Sequence, residues 1–269
     1  MSHFSLGLAK WSVTIKTSWS NLLTYRLNFF LQVIGPSLVF FFIKYNLWWA
    51  IYNSHQGDTI KGMTFSQMMN YHVWALITSL IFRGYNSNSL AEDIRLGKIS
   101  TYMIYPFNFW EHQTCQFLAF SSLQIFVSSV TFFILFAAGI VIFPTFSGVI
   151  LGLSFSLLAG FLWFVIQYVC GLMAFWLEET WMIRVMTELV VNFLSGNIFP
   201  LELYPAKLTV FLKYTPFPYL AYYPIKMFLG QNDEIILPLI ILLIWIGLFS
   251  LFASRLWKKG VCNYTGAGM

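Results

Sequence analysis

The strongest constraint in this sequence is a gap. From residue 112 to residue 177 the chain carries no Asp, Glu, Lys or Arg. As one helix this 66-residue run would extend about 99 Å, roughly three times the hydrocarbon core of a bilayer. It must therefore turn back, and Phe143-Pro144-Thr145 is where it would do so. Two long membrane spans are predicted, Phe117–Phe143 and Val149–Leu177.

The rest of the composition agrees. Charged residues make up 9% of the 269 residues, against 58% hydrophobic and 20% aromatic, whereas soluble domains carry about 25% charged residues. A soluble enzyme, a disordered linker and a disulfide scaffold are excluded. The expectation is a polytopic all-α membrane protein, one integral domain over residues 1–269. The net charge of +5 does not point to nucleic acid, because cations of a membrane protein flank its spans and meet anionic lipid. Cys115, Cys170 and Cys262 form no CxxC and read as small hydrophobes. Lys10, Lys16 and Arg26 interrupt the N-terminal segment, so no cleavable leader is expected.

Four further spans are predicted. Ile235–Ser254 is uncharged, with Pro238 in its first turn. Leu27–Tyr52 contains a candidate kink at Gly35-Pro36 and ends on Trp48, Trp49 and Tyr52, with Lys44 as a snorkelling cation. Phe65–Phe82 carries Gln67, Asn70 and His72, which suits a span packed among others. Val185–Phe199 is short, contains Glu188 and Asn192, and stops at Pro200. After it, Pro205, Pro216, Pro218 and Pro224 alternate with tyrosines and phenylalanines, a pattern of short broken helices at an interface.

Flanking charge fixes the N-terminus as cytoplasmic. With six spans, ten cations (Lys10, Lys16, Arg26, Arg83, Arg95, Lys98, Arg184, Arg255, Lys258, Lys259) face four (Lys61, Lys207, Lys213, Lys226). Five spans give the same score, so charge alone leaves the parity open.

Catalytic chemistry finds no footing. No His follows residue 112 to serve Ser195-Gly196, adjacent acidic pairs are not clustered for magnesium, and no zinc spacing or GxxxxGK[ST] occurs. Four other features stand out. Phe4, Leu8, Trp11, Ile15, Trp19 and Leu22 form a helical stripe, with Lys10 and Lys16 off it, suited either to the membrane face or to packing on the chain's own spans. Ser89-Leu90-Ala91-Glu92 reads as a capping box opening a helix Leu90–Leu96 that carries Glu92, Asp93 and Arg95 and closes at Gly97; Asn108 is placed to cap the next helix. Gly148, Gly152, Ser156 and Gly160 repeat small residues for close helix packing, internal or between subunits. Glu188, one turn from both Arg184 and Asn192, is either half of a local ion pair or a residue of a translocation path.

Arg95-Leu96-Gly97-Lys98-Ile99-Ser100, followed by Tyr105-Pro106, resembles the pattern in permeases of the type-two ABC exporter family. So does the run from Asn192 through Gly196 to Leu201, with Tyr204-Pro205, Pro216-Phe217-Pro218-Tyr219, Tyr223-Pro224 and Gly230. The similarity is to half-permeases of this length and covers nearly the whole chain. It departs at Met103-Ile104-Tyr105, where the family carries leucines and often an arginine.

The resemblance implies six transmembrane helices with both termini cytoplasmic in a bacterial inner membrane, an N-terminal interfacial helix, and re-entrant outer helices between the fifth and sixth spans. It makes Glu92, Asp93, Arg95 and Gly97 the coupling region, and Glu188, Asn192 and Gly196 candidates for the path. It further implies an ATP-binding cassette ATPase as partner, a second permease half, and ATP and magnesium held by the partner, with no cofactor, metal or catalytic residue in this chain. The function expected is a permease subunit exporting a hydrophobic or amphipathic cargo. The alternative is a membrane assembly or scaffold protein without transport.

Overall fold

A computed structural model describes residues 3–24, 26–54, 59–82, 88–104, 108–137, 139, 141, 143–231, 234–262 and 264. Eleven α-helices run through them: α1 (His3–Thr24), α2 (Arg26–Ser54), α3 (Phe65–Phe82), α4 (Asn88–Arg95), α5 (Ile99–Ile104), α6 (Phe109–Ala137), α7 (Phe146–Leu172), α8 (Trp181–Leu194), α9 (Ala206–Leu212), α10 (Tyr222–Phe228) and α11 (Ile236–Cys262). A two-stranded hairpin, β1 (Thr59–Ile60) and β2 (Met63–Thr64), links α2 to α3. Its tip carries Lys61 and Gly62 at positive φ.

The charge-free run does turn where expected. α6 ends at Ala137, and Thr145, extended at φ −62° and ψ 151°, caps α7 by accepting from the Gly148 amide at 3.2 Å. Asn108 caps α6 through its side chain, which accepts from the Trp110 amide at 3.3 Å. Among the described residues, three helices are long and apolar enough to cross a membrane: α6, α7 with the short 3₁₀ turn that continues it, and α11. α2 continues through Gly35-Pro36 as one helix.

α3 is the buried centre. Its residues from Tyr71 to Thr78 are all covered by protein, with α2, α6, α7 and α10 around it. That environment tolerates a helix with polar residues, as its sequence suggests. Trp74 stacks on Phe228 of α10 at 4.5 Å and lies 5.5 Å from Phe132 of α6.

α7 organises the two ends of the molecule. In its first turn, a Cβ on Gly148 would lie 3.1 Å from the Met227 carbonyl, so α10 crosses there at close range. Near its last turn, a Cβ on Gly171 would lie 2.6 Å from Leu90 Cδ2, so α4 is seated there. These two glycines are about 35 Å apart along one unbroken helix. The hairpin belongs to the α10 end: Lys61 donates to the carbonyls of Glu202 and Leu203 at 3.2 Å, and Lys226 of α10 pairs with Glu202 at 2.6 Å. The chain end belongs to the α4 end: Tyr264 donates to the Ile94 carbonyl at 3.3 Å.

Two sequence expectations are corrected. The helix after residue 87 begins at Asn88, so Ser89 lies within it and does not cap it. Lys44 does not snorkel: it is 6% exposed and donates to the Asn197 carbonyl at 2.6 Å, because the chain breaks at Gly196 and turns that carbonyl inward.

Candidate functional site

Two constellations emerge, one at each end of α7. The first is built on α4. Its inner face, Leu90 and Ile94, is buried in one hydrophobic cluster with Phe164, Val165, Tyr168 and Leu172 of α7. Leu90 reaches this depth because Gly171 has no side chain. Gly171 carries no sequence signature of its own, since a lone glycine near a helix end has many causes.

α4 closes on Gly97 as the sequence suggests, at φ 75°. The Lys98 amide donates to the Asp93 carbonyl at 3.0 Å and the Gly97 amide to the Ile94 carbonyl at 3.3 Å. This pair of bonds is the Schellman arrangement, which satisfies carbonyls a helix end otherwise leaves open. Asp93 is fixed from outside the helix by Lys98 at 3.4 Å and by the Tyr102 hydroxyl at 3.2 Å. Arg95 reaches across to the turn after α7, pairing with Glu179 at 2.8 Å and donating to the Glu178 carbonyl at 3.0 Å. Glu92 points away from the protein and is exposed. The four predicted coupling residues therefore share one surface, and the acidic turn at Glu178-Glu179 joins them. Arg83 and Tyr105-Pro106 lie outside the described residues.

α1 lies beside this architecture, on α6. The Trp19 indole donates to the Ala119 carbonyl at 3.0 Å and to Ser122 Oγ at 2.9 Å. Lys10 and Lys16 are exposed. The helix thus packs through Trp19 on one of the chain's own long helices, with Val13 left exposed.

The second constellation surrounds the break after α8. Gly196, at φ 85°, sits where a Cβ would lie 2.8 Å from Leu201 Cδ1 and 3.0 Å from the Tyr71 hydroxyl. Tyr71 of α3 donates to the Gly196 carbonyl at 2.7 Å, and the Tyr222 amide donates to the Ser195 carbonyl at 2.9 Å. Asn197 donates through Nδ2 to Asn192 Oδ1 at 3.1 Å, tying the bend back to α8. Asn192 and Gly196 therefore meet in one bend held by α2, α3 and α10. Glu188 stands apart from it, half-buried two turns earlier on α8.

The small-residue face of α7 is turned inward. Gly148, Gly152, Ser156 and Gly160 are all buried. A Cβ on Gly152 would meet the Phe228 ring at 2.5 Å, and one on Gly160 would lie 3.5 Å from Phe82 Cα. These residues let α10 and α3 approach α7 inside one chain.

The family described as ABC-2 family transporter protein matches residues 38–268. The chain belongs to that family. No curated protein matches it. The match starts within α2 and takes in α4, the turn after α7 and the bend after α8, so both constellations are family territory. An ABC-2 transporter protein is a multi-pass permease subunit of an ABC transporter, a transport component that is not itself catalytic.

Proposed function

We propose that the chain is one half of an ATP-driven exporter for a hydrophobic or amphipathic cargo. It crosses a bacterial inner membrane six times as a single domain with both termini cytoplasmic. ATP and magnesium are bound by a separate ATP-binding cassette subunit, and a second permease half, identical or a sister chain, completes the path. Lipid surrounds the apolar outer faces.

The observation that carries this reading is the division of contacts along α7. α4, the Glu178-Glu179 turn and Tyr264 gather at its C-terminal end, while the hairpin, Glu202 and α10 gather at its N-terminal end, about 35 Å away. α8 leads from the first group to the second and α11 leads back. A fifth and a sixth crossing follow, although α8 with 14 residues is only about 21 Å long. The bend at Ser195–Asn197 and the broken helices behind it supply the remaining depth as re-entrant elements. Such irregular backbone suits membrane depth only when protein covers it, and Ser195, Gly196 and Asn197 are all buried.

At the other end, α4 is seated on α7 rather than free, so force applied to it passes directly into a span. Glu92, Asp93 and Arg95 form its outer surface with Glu179, a charged platform for the ATPase. Glu188 and Asn192 are assigned to the path. Co-purification of the tagged chain with a cassette ATPase, followed by nucleotide-dependent transport in vesicles, tests the reading. Recovery of a stable complex that hydrolyses no nucleotide and moves no lipid-like cargo would favour a membrane scaffold instead.

A further inference from the structure

A buried cation and two unsatisfied rings lie together below the bend after α8. Lys44 and Trp48 are one turn apart on α2, 6% and 3% exposed. His72 of α3 is 0% exposed, and its ring stacks on Trp48 with centroids 5.8 Å apart and planes at 30°. The Trp48 Nε1 and both His72 ring nitrogens have no hydrogen-bond partner among the described residues. The Lys44 ammonium is held at 2.6 Å by the Asn197 carbonyl, and its position four residues before Trp48 puts the two side chains on one face of α2. Glu202 is held through Oε1 by Lys226 at 2.6 Å and by the Tyr222 hydroxyl at 2.9 Å, while its Oε2 has no hydrogen-bond partner among the described residues.

Unsatisfied N–H groups at this depth are costly, and so is a cation. What they share is polarity: an ammonium, an indole N–H and, in either tautomer, an imidazole N–H. Such a set is complemented by an anionic oxygen. We propose that Lys44, Trp48 and His72 form an internal site for the phosphate or carboxylate group of an amphiphile, used as that molecule passes the outer half of the permease. The proposal rests on the permease reading and gives it a cargo class. Phe199 stands edge-on to Trp48 at 6.3 Å and covers the site from the outer segment, so entry involves the stretch after Gly196.

The test uses the purified full chain in a zwitterionic detergent, without an ATPase. Binding of dioctanoyl phosphatidic acid, dioctanoylglycerol and inorganic phosphate is measured by native mass spectrometry and by thermal shift. The phosphatidic acid should bind about tenfold tighter than the glycerol, the change expected from one charge-assisted hydrogen bond. Trp48→Phe, which keeps the ring and removes the N–H, and Lys44→Met should each abolish that preference, while Lys213→Met should leave it intact. If Lys44→Met does not fold, Trp48→Phe and His72→Phe decide. Equal binding of the two lipids, or a preference that survives Trp48→Phe and His72→Phe, overturns the site. Inorganic phosphate binding as tightly as the lipid would make the free anion the ligand and overturn the amphiphile. Because no ATPase is present, the site can fail while the chain still recruits one; the converse removes the permease reading and leaves the site.

Discussion

Arg95 Nη1 stands 2.8 Å from Glu179 Oε1, joining the short helix α4 to the turn that follows α7. The two side chains are 39% and 75% exposed, so the pair adds at most about 1 kcal/mol to stability. Its value lies in making two loops, distant in sequence, present one surface.

That surface gives the first prediction. Arg95→Glu or Glu179→Arg alone should leave the melting temperature nearly unchanged but weaken ATPase binding or let hydrolysis run without transport. The double exchange should recover most of the loss. Reversing Glu92 and Asp93 to Lys should act in the same direction, because charges desolvated on docking can be worth about 2–5 kcal/mol. Wild-type coupling in all of these variants would move the ATPase contact elsewhere.

Gly171 and Leu90 give the second. Gly171→Ala places a methyl 2.6 Å from Leu90 Cδ2 in a filled interior, and such overpacking costs about 1–3 kcal/mol. The melting temperature should fall, and coupling with it, since α4 must lift from α7. Leu90→Ala in the same chain should restore the seat in part. A Gly171→Ala protein as stable as wild type would mean that α4 shifts freely and transmits little.

Much of this was legible from residue order. A charge-free run with Pro144 at its centre can fold only as two helices, and Gly97 after a short charged helix can close it by adopting positive φ. Lys44 departs from expectation for a physical reason: a lysine late in an apolar segment normally reaches for the interface, and nothing local reports that a carbonyl 153 residues away turns toward it. Ser89 misled because a capping box fixes a pattern without fixing where the helix starts. The Arg95–Glu179 pair and the Gly171 seat depend on how α4 lies across α7, which periodicity does not encode.

Topology gives the third prediction. In a chain carrying Cys262→Ser to remove the exposed cysteine, Lys213→Cys should react with an impermeant maleimide in intact cells. Lys258→Cys should react only after the membrane is opened. The reverse pattern would mean that α8 does not cross, leaving five spans and an outer C-terminus.

Glu188 gives the last. α8 leaves Met186, Leu189, Val190 and Phe193 exposed from the protein, while Thr187 Oγ1 lies 3.6 Å from Cys170 Sγ of α7. The helix is thus pinned on one side and uncovered on the other, and a half-buried carboxylate stands between the two. A carboxylate kept on a helix at membrane depth is costly unless it is used or paired. If it faces the path, Glu188→Gln, which keeps the shape and removes the charge, should change transport severalfold while the complex assembles and melts as wild type. If it only balances Arg184, one turn before it, the Arg184→Glu/Glu188→Arg exchange should restore what either reversal loses. Assembly failure in Glu188→Gln, together with rescue by the exchange, would remove Glu188 from the path and leave Asn192 and the Gly196 bend to line it.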